Sequence, residues 1–304
     1  MSTYILKRLL QVPFPLLVVS VVVFLALRLT GDPVEMLLGL EATTEERAIM
    51  REKLGLNAPL VVQYWRFLQH AVTGDFGTSL RFKEPALSLV LGRLPSTLAL
   101  AAVGLVLATV LGVTLGVLAA IRRGSTVDLS LVSLGVAGQS IPSFWLGILL
   151  IMLFAVQLRL LPTSGTGDWR HLILPGLTLA SFILPQVTLL TRSSMLDVLN
   201  EQYIMAARAK GLGEPAVMLH ALKNAVHPVI TYLGLQMGTL VGGSIITETI
   251  FSWPGVGQLT IQSIYNRDVV VVEAAVLVMA LAIVLSNLLA DVINAGLDPR
   301  IRTS

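Results

Sequence analysis

The residues of this 304-residue chain that could do covalent chemistry are few and badly placed for it. Its four histidines, His70, His171, His220 and His227, stand apart without H-E-x-x-H or comparable spacing, so the sequence predicts no metal site. Serines occur in Gly138-Gln139-Ser140 and in Thr191-Arg192-Ser193-Ser194, but neither context joins a serine to a histidine and a carboxylate. An intramembrane hydrolase is the enzyme alternative those serines leave, and no catalytic residue is assigned. There is no cysteine, which removes disulfides and thiolate chemistry and leaves the redox compartment open. No G-x-x-x-x-G-K-[ST] run occurs, so no Walker loop is expected to cradle phosphates, and any ATP chemistry belongs to another chain.

The sequence does carry neutral polar residues inside long apolar runs. Gln139, Ser140, Pro142 and Ser143 form one cluster, and Pro185 with Gln186 repeats the pairing of a proline with a polar neighbour. Proline removes a backbone donor and bends a helix, and the freed carbonyl can face a water-filled cavity or merely mark a kink. Tyr232, Gln236, Thr239 and Gly243 recur at i, i+4, i+7 and i+11, a polar stripe where lipid would forbid one. Such a stripe either lines a wet path or hydrogen-bonds between helices, and both readings stay open. Gln139, Ser140, Tyr232, Gln236 and Thr239 are the candidates to line a path. Glu248 and Asp291 sit at the ends of apolar runs, where interfacial placement is the plain expectation. Glu248 precedes Trp253-Pro254-Gly255, and the alternative is that Glu248, Pro254 and Gly255 hold an outer gate through a hydrogen bond or ion pair.

These residues need a bilayer to make sense. The chain is 55% hydrophobic and 13% charged, with a mean hydropathy of +0.81. Soluble domains carry about 25% charged residues. Stretches free of Asp, Glu, Lys and Arg run over 9–27, 94–121, 129–158, 171–191, 224–247 and 274–290. A span needs roughly 20 apolar residues, so an all-α membrane protein with about six transmembrane helices is predicted. The last run reaches that length only with Glu273 or Asp291 at an interface. The first, after Lys7 and Arg8, has no small-x-small pattern before Arg28 and reads as an uncleaved span rather than a secretory signal. The net charge of +3 is scattered between apolar runs, which argues against nucleic acid as a partner.

With the N-terminus inside, ten basic residues fall on inner segments: Lys7, Arg8, Arg122, Arg123, Arg192, Arg208, Lys210, Lys223, Arg300 and Arg302. The short outer loops then hold only Arg159, Arg170 and Arg267, so both termini are expected to be cytoplasmic. The chain divides into an N-terminal segment and first span (1–30), an extracytoplasmic helical lobe (31–93) and a core of five spans (94–304) with a cytoplasmic loop at 197–227. In the lobe, Thr43 and Glu46 make a capping box for a helix that Gly55 can close. Asn57 and Pro59 open a second helix, with Val61, Tyr64, Leu68 and Val72 on one apolar face before Gly74. That face is expected to rest on the membrane surface or on the other spans. Gly104, Ala108, Gly112, Gly116 and Ala120 recur every fourth position, as do Gly234, Gly238 and Gly242. Backbones can approach closely there, either within the subunit or between subunits.

The inner loop reads as two short helices. The first, Asp197 to Lys210, contains Tyr203, Ala206, Ala207, Arg208 and Ala209 and is broken by Gly211 and Gly213. Glu214 and Pro215 suit the first turn of the second, which runs to about Val226 before Pro228 opens the fifth span. Alanine forms helix without bulk, so the first helix offers a firm, close-fitting knob.

Met205-Ala206-Ala207, Gly211 and Pro228 resemble the EAA loop of permease subunits of bacterial ABC importers. Met205 replaces the usual glutamate, and the glycine-to-proline spacing is long. Both departures are similar to the dipeptide, oligopeptide, glutathione and nickel branch. Other segments resemble that branch in order along the chain. They are Tyr4-Ile5 with Lys7-Arg8-Leu9-Leu10, Gly31-Asp32-Pro33, Gly74-Asp75-Phe76-Gly77 and Pro142 with Phe144, Trp145 and Gly147. Glu248 with Ile250-Phe251 and Trp253-Pro254-Gly255-Val256-Gly257, then Asp298-Pro299-Arg300-Ile301-Arg302, complete the series. Thr30 and Asn294 depart from the family pattern and lend no support.

The resemblance implies a type I importer transmembrane domain of the bacterial inner membrane, coupled to an ATPase through Tyr203, Ala206, Ala207, Arg208, Ala209, Lys210 and Gly211. It also implies four partners besides lipid: a second homologous permease, two ATP-binding subunits holding ATP and Mg, and an extracytoplasmic solute-binding protein. No cofactor belongs to this chain. The expected cargo is a short peptide or glutathione-like solute, with nickel or another small solute of the same branch as an alternative. A secondary transporter or channel needing no ATPase would call for ionisable residues at mid-membrane, and the six runs hold none.

Overall fold

The computed structural model describes residues 8–30, 34, 43–53, 56–79 and 81–297, with the backbone alone at 27–30, 53, 136–139 and 297. Tyr4, Ile5 and Lys7, Gly31 to Pro33, Gly55 and Asp298 to Arg302 therefore lie outside the described residues, as does the side chain of Gln139. The described residues are almost wholly helical, and their only β-type pairing is a single bridge between Thr78 and Pro85.

Five helices among the described residues are long and apolar enough to span a bilayer. They are α1 (Pro13–Thr30), α4 (Ala86–Ile121), α7 (Ile173–Leu199), α10 (His227–Ile250) and α12 (Val269–Leu297). The third of the six predicted spans is not one helix. Its run divides into α5 (Thr126–Ser140), α6 (Ser143–Leu150) and a π-helical turn at Ile151–Gln157. Pro142 explains the division. It stands outside the helix, at φ −58° and ψ 132°, and its missing N–H ends the ladder where the sequence had suggested a bend. Pro185, by contrast, is buried inside an unbroken α7.

Helix α4 has 36 residues, about 54 Å at 1.5 Å per residue, well beyond a hydrocarbon core of about 30 Å. Its small-residue stripe faces α7 within the same subunit. A Cβ on Gly104 would lie 2.9 Å from the Leu179 side chain, one on Gly112 2.6 Å from Val187, and one on Gly116 2.5 Å from Thr191 and 2.6 Å from the Thr188 carbonyl oxygen. The fifth-span glycines serve α12 in the same way, with Gly234 against Asn294 and Ala290 and Gly238 against Asn287 and Ile283. The two helix pairs enclose a core that includes Leu100, Ala108, Ile183, Leu240 and Ala274.

The sixth span is longer than its uncharged run, because α12 carries both Glu273 and Asp291 within the helix. Asp291 pairs with Arg8 at 3.3 Å, tying the start of the first span to the end of the last. In the lobe, α2 (Thr44–Lys53) opens on the expected capping box. The Thr43 N–H donates to Glu46 Oε2 at 2.9 Å and the Glu46 N–H donates back to Thr43 Oγ1 at 3.3 Å. The Thr43 N–H, and then the Thr43 hydroxyl donating to Oε2 at 2.9 Å, hold the Glu46 carboxyl below its ordinary pKa.

Helix α3 (Leu60–Thr73) ends at Gly74, whose φ of +77° suits glycine. Its packing face shares Tyr64 with the expected one and adds Phe67. Tyr64 and Phe67 meet Phe24 of α1 at ring distances of 5.5 and 5.7 Å, and the Tyr64 hydroxyl bonds Ser20 at 2.9 Å. Val61 and Val72 are exposed instead. The aromatic residues at 64 and 67 offer the larger contact area and set the rotation of the helix.

Candidate functional site

The loop at 197–227 folds as two helices seated on the end of the bundle. Asp197 and Leu199 close α7, so the first loop helix is shorter than expected: α8 spans Gln202–Ala209 and α9 spans Glu214–Ala225. One side chain of α8 is fully buried. Ile204 packs with Met195, Val217, Ala221 and Ala225 and with Ala120 at the end of α4. Around that anchor Tyr203, Ala206, Arg208, Ala209, Lys210 and Gly211 are exposed and Ala207 is half-buried.

Two side-chain contacts stiffen the pair. Arg208 donates to both carboxyl oxygens of Glu214, at 2.9 and 3.3 Å, and Asn224 donates to the Tyr203 hydroxyl at 2.7 Å. Gly211 has φ +83° and open space where a Cβ would stand, so the turn needs glycine for its backbone and not for room. The result is a small-residue helix held from behind and exposed in front.

Beside the break between α5 and α6 lies a half-open pocket of about 410 Å³. Ser143 of α6, Ser181 and Gln186 of α7, and Tyr232 and Gln236 of α10 supply its polar lining, with Ile141 and Phe182 beside them. Two of the five path candidates, Tyr232 and Gln236, are thus in the cavity. Ser140 is exposed at the end of α5, and Thr239 is exposed on the outward side of α10, next to an open Gly243. The stripe read from the sequence therefore splits between a cavity wall and an uncovered surface.

Glu248, in the last turn of α10, is fully buried, so its carboxyl is met by protein groups. Its carboxyl group accepts from Thr97 Oγ1 at 2.7 Å and Ser244 Oγ at 3.0 Å on Oε1, and from the Gln258 N–H at 3.0 Å on Oε2. Thr97 in turn accepts the Val256 N–H at 2.9 Å, and the Trp253 indole donates to the Ser96 carbonyl at 3.0 Å. The partners are hydrogen-bond donors and not a cation. Gly255 and Gly257 wrap the carboxyl closely: a Cβ on Gly255 would overlap Glu248 Cδ and both its oxygens, and one on Gly257 would lie 2.9 Å from Oε2. Pro254 is half-buried in the same turn. One side chain thus joins α4, α10 and α11 (Val256–Tyr265).

The N-terminal profile of binding-protein-dependent transport system membrane components matches residues 1–101, and the profile of binding-protein-dependent transport system inner membrane components matches residues 112–303. The chain belongs to the binding-protein-dependent transport inner membrane component family. It is 44% identical over 304 residues to the glutathione transport system permease protein GsiC of Salmonella paratyphi A, covering 99% of each chain. Its identity to the protein of the same name from Escherichia coli K12 is 42%, again over 99% of both. This permease is therefore a multi-pass inner-membrane protein and the translocation subunit of an ABC importer, working with other components of that system.

The ion pairs of the permease were not predicted from its sequence, and one of them joins α5 to α7. Asp128, at the start of α5 and buried, receives Arg192 of α7 in a two-pronged contact at 2.6 and 2.8 Å, with the Gly124 N–H at 2.9 Å. The Arg192 hydrogen bond and then the Gly124 N–H hold the Asp128 carboxyl down to about 2. The signal was present, since the two residues are opposite charges flanking the runs 129–158 and 171–191. Thr97 and Gln258, 151 and 10 positions from Glu248, carry no local sign of their pairing.

Proposed function

We propose that this permease carries short peptides of the glutathione class across the inner membrane by alternating access. The observation that carries the reading is 42–44% identity along the whole chain to glutathione permeases, joined to a loop helix seated from behind and exposed in front. In this reading both termini are cytoplasmic, residues 31–93 form the extracytoplasmic lobe and 94–304 the core. A second homologous permease closes the path, and two ATP-binding subunits hold ATP and Mg and hydrolyse the nucleotide. A solute-binding protein delivers cargo on the lobe side.

Tyr203, Ala206, Ala207, Arg208, Ala209, Lys210 and Gly211 enter a groove on the ATPase, and Ile204 transmits its movement to α9 and α4. Cargo passes along the α10 surface. Ser140, Tyr232, Gln236 and Thr239 border the path, with Gln139 beside them in sequence. Glu248, Pro254 and Gly255 fix the outer turn that gates it. The test is uptake of labelled glutathione into proteoliposomes holding the whole assembly. Accumulation should require the binding protein, ATP and this chain together. Uptake driven by an ion gradient through this chain alone would replace the reading with a secondary transporter.

A further inference from the structure

The cavity between α6, α7 and α10 has a chemistry narrower than a wet hole requires. Among the described residues its lining holds two carboxamides, Gln186 and Gln236, two serine hydroxyls and the Tyr232 phenol, and no carboxylate, ammonium, guanidinium or imidazole. One of those groups is in deficit: Gln236 Oε1 is buried and has no hydrogen-bond donor. A buried acceptor left in this way costs free energy until a donor arrives. Gln236 itself lines the cavity, and the terminal torsion of glutamine is soft.

The carboxamide is the natural partner of a secondary amide, offering one acceptor and one donor to match N–H and C=O. The charged ends of a zwitterionic or anionic peptide find no counter-ion here, so they are not gripped. Phe182 is 58% exposed beside the glutamines and presents an apolar ring there.

We propose that this cavity is a waypoint that reads the cargo's peptide bond, with Gln236 accepting a peptide N–H, Gln186 donating to a peptide carbonyl, and Phe182 and Tyr232 flanking the side chain. The proposal rests on the peptide-import reading above. Recognition of the backbone amide explains how one path can be selective for peptides while holding none of their charges tightly enough to trap them.

The test compares ATP-driven uptake of glutathione with uptake of a glutathione analogue methylated at the amide nitrogens. Wild-type and Gln236→Met assemblies are used with the same binding protein, so any change in the ratio belongs to the permease. Methylation removes the donor, and a site built on a hydrogen bond rejects such analogues strongly. Wild type should favour glutathione by about tenfold more than Gln236→Met does, a discrimination of the size one buried hydrogen bond supports. Gln186→Met should lose part of the same preference and serves as the test if Gln236→Met does not assemble. An unchanged ratio in the assembled variant overturns the waypoint and leaves peptide import standing. Failure of the wild-type assembly to take up glutathione at all removes the import reading and the waypoint with it.

Discussion

Replacing Gly255 by alanine should unseat Glu248, and the structure sets the size of the effect. Gly255 has φ −101° and ψ −177°, an extended conformation open to any residue, so the backbone does not resist alanine. The methyl group would instead overlap the Glu248 carboxyl. Overpacking of this kind costs about 1–3 kcal/mol. If the carboxyl moves away, three buried hydrogen bonds go with it, at about 1 kcal/mol each. A loss of about 3–5 kcal/mol is expected for Gly255→Ala, and a similar loss for Glu248→Ala, which leaves Thr97, Ser244 and the Gln258 N–H without their acceptor. The two penalties have one cause, so the double variant should be little worse than Glu248→Ala alone, a coupling of about 3 kcal/mol. Unfolding titrations in mixed micelles on wild type, both single variants and the double variant measure it. Penalties that add within about 0.5 kcal/mol would refute the cradle, since independent sites add to that accuracy.

Three further perturbations follow from the same geometry. Gly116→Val places carbon against Thr191 and the Thr188 carbonyl; separation of α4 from α7 should destabilise the permease by about 3 kcal/mol or more, read as a lower yield of folded protein and a lower unfolding midpoint. Asp128 has its pKa lowered from 3.8 to about 2, so its contribution is fully present above 3.8 and lost as pH falls towards 2. Asp128→Asn should therefore destabilise equally at pH 7 and pH 5.5, with the gap closing only below about pH 4 in pH-dependent unfolding. Gly211→Ala, at φ +83°, should cost about 1 kcal/mol and raise amide exchange in α8 and α9 while leaving the core of α4 and α7 protected.

Lipid made much of this fold legible. A run without charges has one reading in a bilayer, and five of the six runs became continuous helices because their interiors offer nothing else to satisfy the backbone. The third run failed at Pro142, where a local rule was right about the place and too mild about the result. Glycines at every fourth position announced close packing but could not name the partner, which depends on how α4 and α7 cross. Tyr64 was read with Val61 and Val72, yet Phe67, three positions on, turned the helix toward Phe24.

The loop at 203–211 was readable because its information is local: alanines, a glycine and the helix that follows. Glu248 was singled out for its charge near a turn, but its environment was not, since Thr97 lies on α4 and reaches it only in three dimensions. The waypoint cavity shows the same division. Tyr232 and Gln236 share a stripe in sequence, whereas Ser181 and Gln186 join them only through the pairing of α7 with α10.

The central claim is that the helix at Tyr203 to Gly211 couples this chain to an ATPase. It is tested most directly by Ala207→Glu in the reconstituted assembly, with ATP hydrolysis and glutathione uptake measured on the same vesicles. Ala207 is half-buried on the knob, so a longer charged side chain there spoils the fit of a close-packed insertion. The account predicts loss of uptake, with the ATPase subunits either released or hydrolysing ATP without transport. Uptake at the wild-type rate, with the ATPase still bound and stimulated by cargo, would contradict it.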